Sequence, residues 1–222
     1  MIAIIKQVVK IGGSLFPDYA IDLAEKLENT DSAIILGGGE FANLIRKYDS
    51  QMGFSQEANH WTAIDCMDII AKLVNDKVRS AKLAFSIEEV NRISDEGFTP
   101  IFVVSEFLKK EDPFECSWDV TSDSIAAYVA HLLNANLFIV TNVNGIYTQE
   151  PKEPGSTFIS KIDATTLLTF QESSIDAMLP SLLLEFGSDC YVVNGKYPER
   201  VLSLIDDNIN DYNFDYTQIK GD

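Results

Sequence analysis

Two short apolar runs near the start of the chain each end in consecutive glycines and lead into a helical pattern. The first reads Val8-Val9-Lys10-Ile11-Gly12-Gly13-Ser14, the second Ala33-Ile34-Ile35-Leu36-Gly37-Gly38-Gly39-Glu40. Glycine lets the backbone pass close to another group and adopt positive φ, and the free N–H groups of a helix start attract anions. Such a strand–turn–helix unit must bury its strand against helices. Two of them, with a lysine at the end of the first strand, predict two phosphate groups held face to face.

The rest of the chain repeats the alternation. Apolar runs predict strands at about 3–11, 33–36, 82–85, 99–104, 135–140 and 190–193, and amphipathic patterns predict helices near 18–28, 40–52, 57–79, 86–95, 121–133, 180–187 and 197–206. Runs such as Ile101-Phe102-Val103-Val104 and Leu137-Phe138-Ile139-Val140 are continuous rather than alternating, the pattern of strands buried on both faces. The expected fold is α/β, a three-layer αβα sandwich around a mostly parallel central sheet. Tyr216-Thr217-Gln218-Ile219 adds an edge strand, and residues 105–118 and 141–163 are long irregular stretches of the kind that cover ligands. No Pro/Ser/Gly linker or repeat interrupts the 222 residues, which predicts one domain.

The formal charge of −17 leaves no basic stripe to displace counterions, so nucleic acid is excluded as a partner. Three widely spaced cysteines without a Cys-x-x-Cys pair predict reduced thiols, and no run approaches the length of a membrane span. These features predict a cytoplasmic protein with no membrane partner. In so acidic a chain, a lysine beside a glycine turn carries more information than usual.

Neither turn is a Walker A loop or a Gly-x-Gly-x-x-Gly fingerprint, because Lys10 precedes its glycines. From a strand end, the Lys10 ammonium would project over an anion held by Gly12, Gly13 and Ser14. A third glycine at Gly37-Gly38-Gly39 exceeds what a tight turn needs and argues for close approach to a ligand. The following helix carries Phe41, Leu44, Ile45 and Tyr48 as an apolar stripe. His60 heads the core stripe Ile64, Met67, Ala71, Val74 and Val78, either as a satisfied buried histidine or as a donor to an anionic substrate; His131 reads as structural. Thr121 is placed to cap the helix that follows. Asp123 then serves either the helix dipole or the orientation of Lys10. Thr141-Asn142-Val143-Asn144-Gly145-Ile146-Tyr147 follows a buried strand, where α/β sheets bind ligands.

In order along the chain, Val9–Ser14, the Gly37–Gly39 turn, Thr121–Ser124 and Thr141–Tyr147 resemble the amino acid kinase family. Gly39–Asn43, Cys116–Ser124 and Tyr191–Arg200 look most like its branch that phosphorylates an aminomethylfuran methyl phosphate in methanofuran biosynthesis. The resemblance implies transfer of the ATP γ-phosphoryl, with Mg²⁺, to a small-molecule phosphate, and self-association into a homo-oligomer. It implies an acceptor-binding part over about 1–120 and a nucleotide-binding part over about 121–222. Lys10 would bridge the two phosphates, Gly38, Gly39 and His60 would hold the acceptor, and Asp123 would position the cationic groups. Thr141, Asn142, Val143, Gly145 and Tyr147 would line the nucleotide site.

Two departures stand out. The family's Thr-Asp-Val-Asp-Gly loop has asparagine at 142 and 144, and its Gly-Gly-Met-x-x-Lys segment reads Asp176-Ala177-Met178-Leu179-Pro180-Ser181, without the lysine. Either Lys161, Lys196 or Arg200 replaces that charge, or Mg²⁺ carries more of it, or catalysis is slow. Two other readings stay open: a kinase of isopentenyl phosphate or another small acid, and a binder of nucleotides or oxyanions without catalysis. For an aminomethyl acceptor, Glu57, Asp65 and Asp68 are candidate contacts to the ammonium.

Overall fold

The structure is a computed structural model and describes residues 5–170, 173–206 and 212–221. In chain order the elements are β1 (Gln7–Ile11), a 3-10 turn (Gly13–Leu15), α1 (Asp18–Lys26), β2 (Ser32–Leu36), α2 (Gly39–Met52) and α3 (Gln56–Lys77). Then come β3 (Ala81–Ala84), α4 (Ile87–Asp95), β4 (Thr99–Phe102), α5 (Ser105–Glu111), α6 (Ser122–Leu133), β5 (Asn136–Thr141), β6 (Ile146–Tyr147), β7 (Phe158–Ile159) and β8 (Lys161–Asp163). The last five are α7 (Ala164–Leu167), α8 (Leu179–Phe186), β9 (Cys190–Asn194), α9 (Pro198–Ile205) and β10 (Thr217–Lys220). The first strand starts at Gln7; residues 3–4 of its expected span lie outside the described part of the chain.

Eight strands form one sheet in the order β3-β4-β2-β1-β5-β9-β10-β8. All neighbours are parallel except β9 and β10. Alternate residues feed two cores, one on each face. Val8, Leu137 and Ile139 join the side covered by α6 and α8, while Val9, Ile11, Phe138 and Val140 join the side covered by α1 and α9. This is the expected αβα sandwich. From β1 the chain runs through β2, β3 and β4 on one side, then returns to place β5 on the other. The carboxyl ends of β2, β1 and β5 therefore flank a topological switch point, the crevice where open α/β sheets bind ligands.

Three details differ from the sequence expectations. The C-terminal strand is interior rather than an edge, because β8 pairs with its outer side. The stretch 105–118 begins with α5, whose first turn is tied down by a distant side chain: Asp68 on α3 accepts hydrogen bonds from Val104 N, Ser105 N and Ser105 Oγ. Local sequence carries no trace of that anchor. Within 141–163, Ile146–Tyr147 and Phe158–Ile159 pair as a hairpin, and β8 follows. The apolar stripe of α2 lies at the surface. None of its residues is buried, and Phe41, Leu44 and Tyr48 are 40–47 % exposed.

Candidate active site

Lys10 lies on the central strand β1, and the pleat places it on the same sheet face as Val8, beneath α6. Its side chain is one-tenth exposed and its Nζ stands 2.6 Å from Asp123 Oδ1, in the first turn of α6. No well-directed hydrogen bond reaches that oxygen, so the contact is an ion pair first. Burial pushes the Asp123 carboxyl above the usual range, Lys10 pulls it back, and the nearby Asp176 charge adds to the rise.

The two glycine turns interlock backbone to backbone. A side chain at Gly13 would overlap Gly39 N and Cα, and one at Gly37 would come within 2.8 Å of Gly13 N. Gly39 has φ +53°, which a residue with a Cβ adopts only under strain. Gly37 N donates to Ile11 O at 2.9 Å and Gly12 N to Val140 O at 2.7 Å, so the turns after β1, β2 and β5 are stitched together. A Cβ on Gly37 would also lie 3.2 Å from Ser122 Oγ, which brings the start of α6 to the same point.

A cleft opens on either side of this junction. The first, about 260 Å³, is lined by Gly13, Ser14 and Gly37–Gly39, by α2 through Glu40, Asn43 and Arg46, by His60 on α3, and by Ser117–Trp118 and Ser122. His60 is buried, with Nδ1 3.4 Å from Ser117 O. The ring thus bridges α3 and the segment leading into α6. Trp118 is pinned from two sides, by the Arg46 guanidinium 4.5 Å from its ring centre and by Asp49 Oδ2, which accepts from its Nε1 at 3.0 Å.

The second cleft, also about 260 Å³, is lined by Thr141, Asn142, Val143, Gly145 and Tyr147, with Gln149–Pro151 and Ser173–Ser174 opposite. No Lys or Arg is among the described residues on its walls. Asn144 turns away to hold the loop, accepting from Asn194 Nδ2 at 3.0 Å and from Arg200 at 3.4 Å. Of the expected site residues, Gly13, Ser14, Gly38, Gly39 and His60 thus share one cleft, and Thr141, Asn142, Val143, Gly145 and Tyr147 the other. Lys10, Gly12 and Asp123 line neither cleft; Gly12 packs against Val140–Thr141 between the two.

Two functional candidates escaped sequence reasoning. Arg46 falls one helical turn beyond Ala42 and Asn43, a spacing that alone would have put it on their face. Asp176 gave no local signal, because its five hydrogen-bond donors are distant in sequence or downstream: Thr121 N and Oγ1, Ser124 N and Oγ, and Leu179 N. It corrects the expectation for Thr121, which occupies the N-cap position but makes no side-chain cap bond; Asp176 caps the helix instead. Asp176 N also donates to Asp123 Oδ2 at 3.1 Å. The candidate ammonium contacts do not line the first cleft: Asp68 is taken up at α5, Asp65 pairs with Lys109 at 3.4 Å, and Glu57 is exposed at the start of α3.

The sequence profile of the amino acid kinase family matches residues 6–194. The [5-(aminomethyl)furan-3-yl]methyl phosphate kinase of Methanocaldococcus jannaschii is 36% identical over 92% of this chain and 95% of its own length. Among solved structures, the uridylate kinase of Archaeoglobus fulgidus superposes with a TM-score of 0.70 at 19% identity, covering 96% of this chain and 99% of its own. The isopentenyl phosphate kinase of T. acidophilum superposes with 0.61 at 19%, covering 97% and 100%. The interlocked glycine turns, the buried lysine beneath them and this extent of similarity agree: the chain belongs to the amino acid kinase family.

Proposed function

We propose that this protein is an ATP-dependent kinase that transfers the γ-phosphoryl of ATP to a phosphate monoester, namely [5-(aminomethyl)furan-3-yl]methyl phosphate, giving its diphosphate and ADP in methanofuran biosynthesis. The observation that carries the reading is one cluster of contacts: the two glycine turns interlock and line one cleft, Gly12 packs against Thr141 of the other, and Lys10 on the same strand forms a buried ion pair with Asp123. The substrate follows the similar kinase from M. jannaschii, 36% identical over nearly its full length.

In this reading the acceptor occupies the cleft between α2, α3 and Trp118, built from the part of the chain before about residue 120. ATP occupies the cleft at Thr141–Tyr147, built from the part after it. No Lys or Arg among the described residues lines that second cleft, so in this reading the triphosphate points toward the glycine turns and Lys10 and the nucleoside lies against Val143 and Tyr147. An acceptor phosphate monoester has a second pKa near ~6, so its oxygen is already nucleophilic at neutral pH and needs no general base. An acceptor oxygen attacks the γ-phosphorus as the bond to the ADP oxygen breaks. The chain's task is to hold two anions in line and offset their repulsion. Lys10 supplies charge, Asp123 fixes its ammonium, and backbone N–H groups of the two turns supply dipoles.

Among the described residues no cluster of three or more His, Cys, Asp or Glu side chains could hold a metal ion. Mg²⁺ would rest on phosphate oxygens, where it neutralises charge. No helix among the described residues is long and apolar enough to cross a membrane, in keeping with a cytoplasmic enzyme. The exposed stripe of α2, with Ile69 and Leu73 on α3, offers an apolar surface for a homo-oligomer.

A coupled ADP-release assay with the aminomethylfuran phosphate, with isopentenyl phosphate and without acceptor tests the assignment. Release should depend on acceptor and be fastest with the furan. Preference for isopentenyl phosphate would replace the substrate. ATP binding with no acceptor-dependent release would replace catalysis by binding alone.

A further inference from the structure

The acceptor cleft is built for anions, yet one acidic residue, itself exposed to solvent, lines it. Glu40, in the first turn of α2, is the one acidic side chain among the described residues that line it. An acid there suits the helix dipole, but it stands beside the N–H groups and Arg46 that would attract a phosphate, and it works against them. In a chain of net charge −17, that position is unfavourable for a purely anionic acceptor. Glu40 is also oriented: Asn43 Nδ2, one turn along α2 and on the same wall, donates to Glu40 Oε1 at 3.3 Å. Across the cleft, Trp118 presents a flat wall held by Arg46 and Asp49. The three acids that sequence alone suggested for an ammonium do not line this space.

We propose that Glu40 is the specificity residue of the acceptor cleft. It accepts a charge-assisted hydrogen bond from an ammonium substituent, so that the cleft selects small, flat phosphate monoesters that also carry an amine. This rests on the kinase reading and deepens it. A carboxylate that instead drew in a divalent cation would serve every acceptor alike, so the two roles separate experimentally.

The test compares wild type with Glu40→Gln on two acceptors, aminomethylfuran methyl phosphate and its analogue with methyl in place of aminomethyl. ADP release gives KM and kcat, and calorimetry without ATP gives the affinity of each acceptor. Wild type should favour the amine by at least about tenfold in kcat/KM, the scale of one charge-assisted contact. E40Q should erase that preference through KM and through affinity, leaving the analogue unchanged or improved. A preference that survives in E40Q, or an equal loss on both acceptors, overturns the role of Glu40 while leaving the kinase standing. A wild type that releases no ADP with either acceptor overturns the kinase and this inference together.

Discussion

At the scale of single residues, the site reduces to a buried cation and the acid that holds it. Lys10→Ala removes the ammonium and leaves Asp123 buried without its charge partner. Turnover should fall by 10² or more, the loss expected for one preorganised charge contact, with KM for ATP changing far less. Near-normal turnover would place Lys10 outside the reaction. Asp123 adds a pH signature. Its carboxyl is raised chiefly by burial, so its proton returns at higher pH than on an exposed aspartate, near ~3.9. Protonation discharges the partner of Lys10. The acid limb of kcat should therefore begin above the ordinary carboxylate range, and Asp123→Asn should lower the plateau and abolish that limb. A kcat that holds level down to the pKa of a free aspartate would contradict the pairing. Lys10 stood out as a candidate because a lysine at a strand end beside a glycine pair is more informative in so acidic a chain. Arg46 was not, because an exposed helical arginine looks like any solvated charge until the opposite wall is in view.

Among elements, the start of α6 carries the most. Three parts converge there: the Gly37 turn through Ser122, the ion pair through Asp123, and the cap supplied by Asp176, whose neighbour Ser174 lines the second cleft and donates to Gly145 O at 3.3 Å. The segment 173–179 thus links the second cleft to Asp123, the ion-pair partner of Lys10. In the stretch Asp176–Ser181, which carries no lysine, Asp176 fastens the start of α6. Removing it in Asp176→Ala leaves the hydroxyls and N–H groups of Thr121 and Ser124 without their acceptor. Unfolding free energy from urea denaturation should drop by about 2–4 kcal/mol, the combined scale of an N-cap and charge-assisted hydrogen bonds. Turnover should fall alongside; a stability change below about 0.5 kcal/mol would show that solvent replaces these bonds freely. The regular elements were legible from periodicity because parallel strands buried on both faces leave continuous apolar runs. The anchors at Asp68 and Asp176 were hidden because a cap delivered from dozens of residues away has no spacing to detect.

For the molecule as a whole, the chemistry opposes the bulk charge. Both substrates are anions, and the chain carries −17. Two regimes compete. Inside the junction, Lys10, Arg46 and the oriented N–H groups act over a few ångströms, where salt screens little. Beyond about 8–10 Å the summed acidic field dominates and repels incoming phosphates, and that part is screened at physiological ionic strength. Approach, not chemistry, should therefore respond to salt. Raising NaCl from about 20 to 200 mM, across which the Debye length falls from roughly 20 to 7 Å, should increase kcat/KM for the acceptor several-fold while kcat stays level. A basic nucleotide-binding surface would give the opposite slope. If kcat/KM falls with salt in this chain, the local cations reach further than the surrounding acids. The funnel would then begin at Arg46, and Arg46→Gln would flatten the salt dependence.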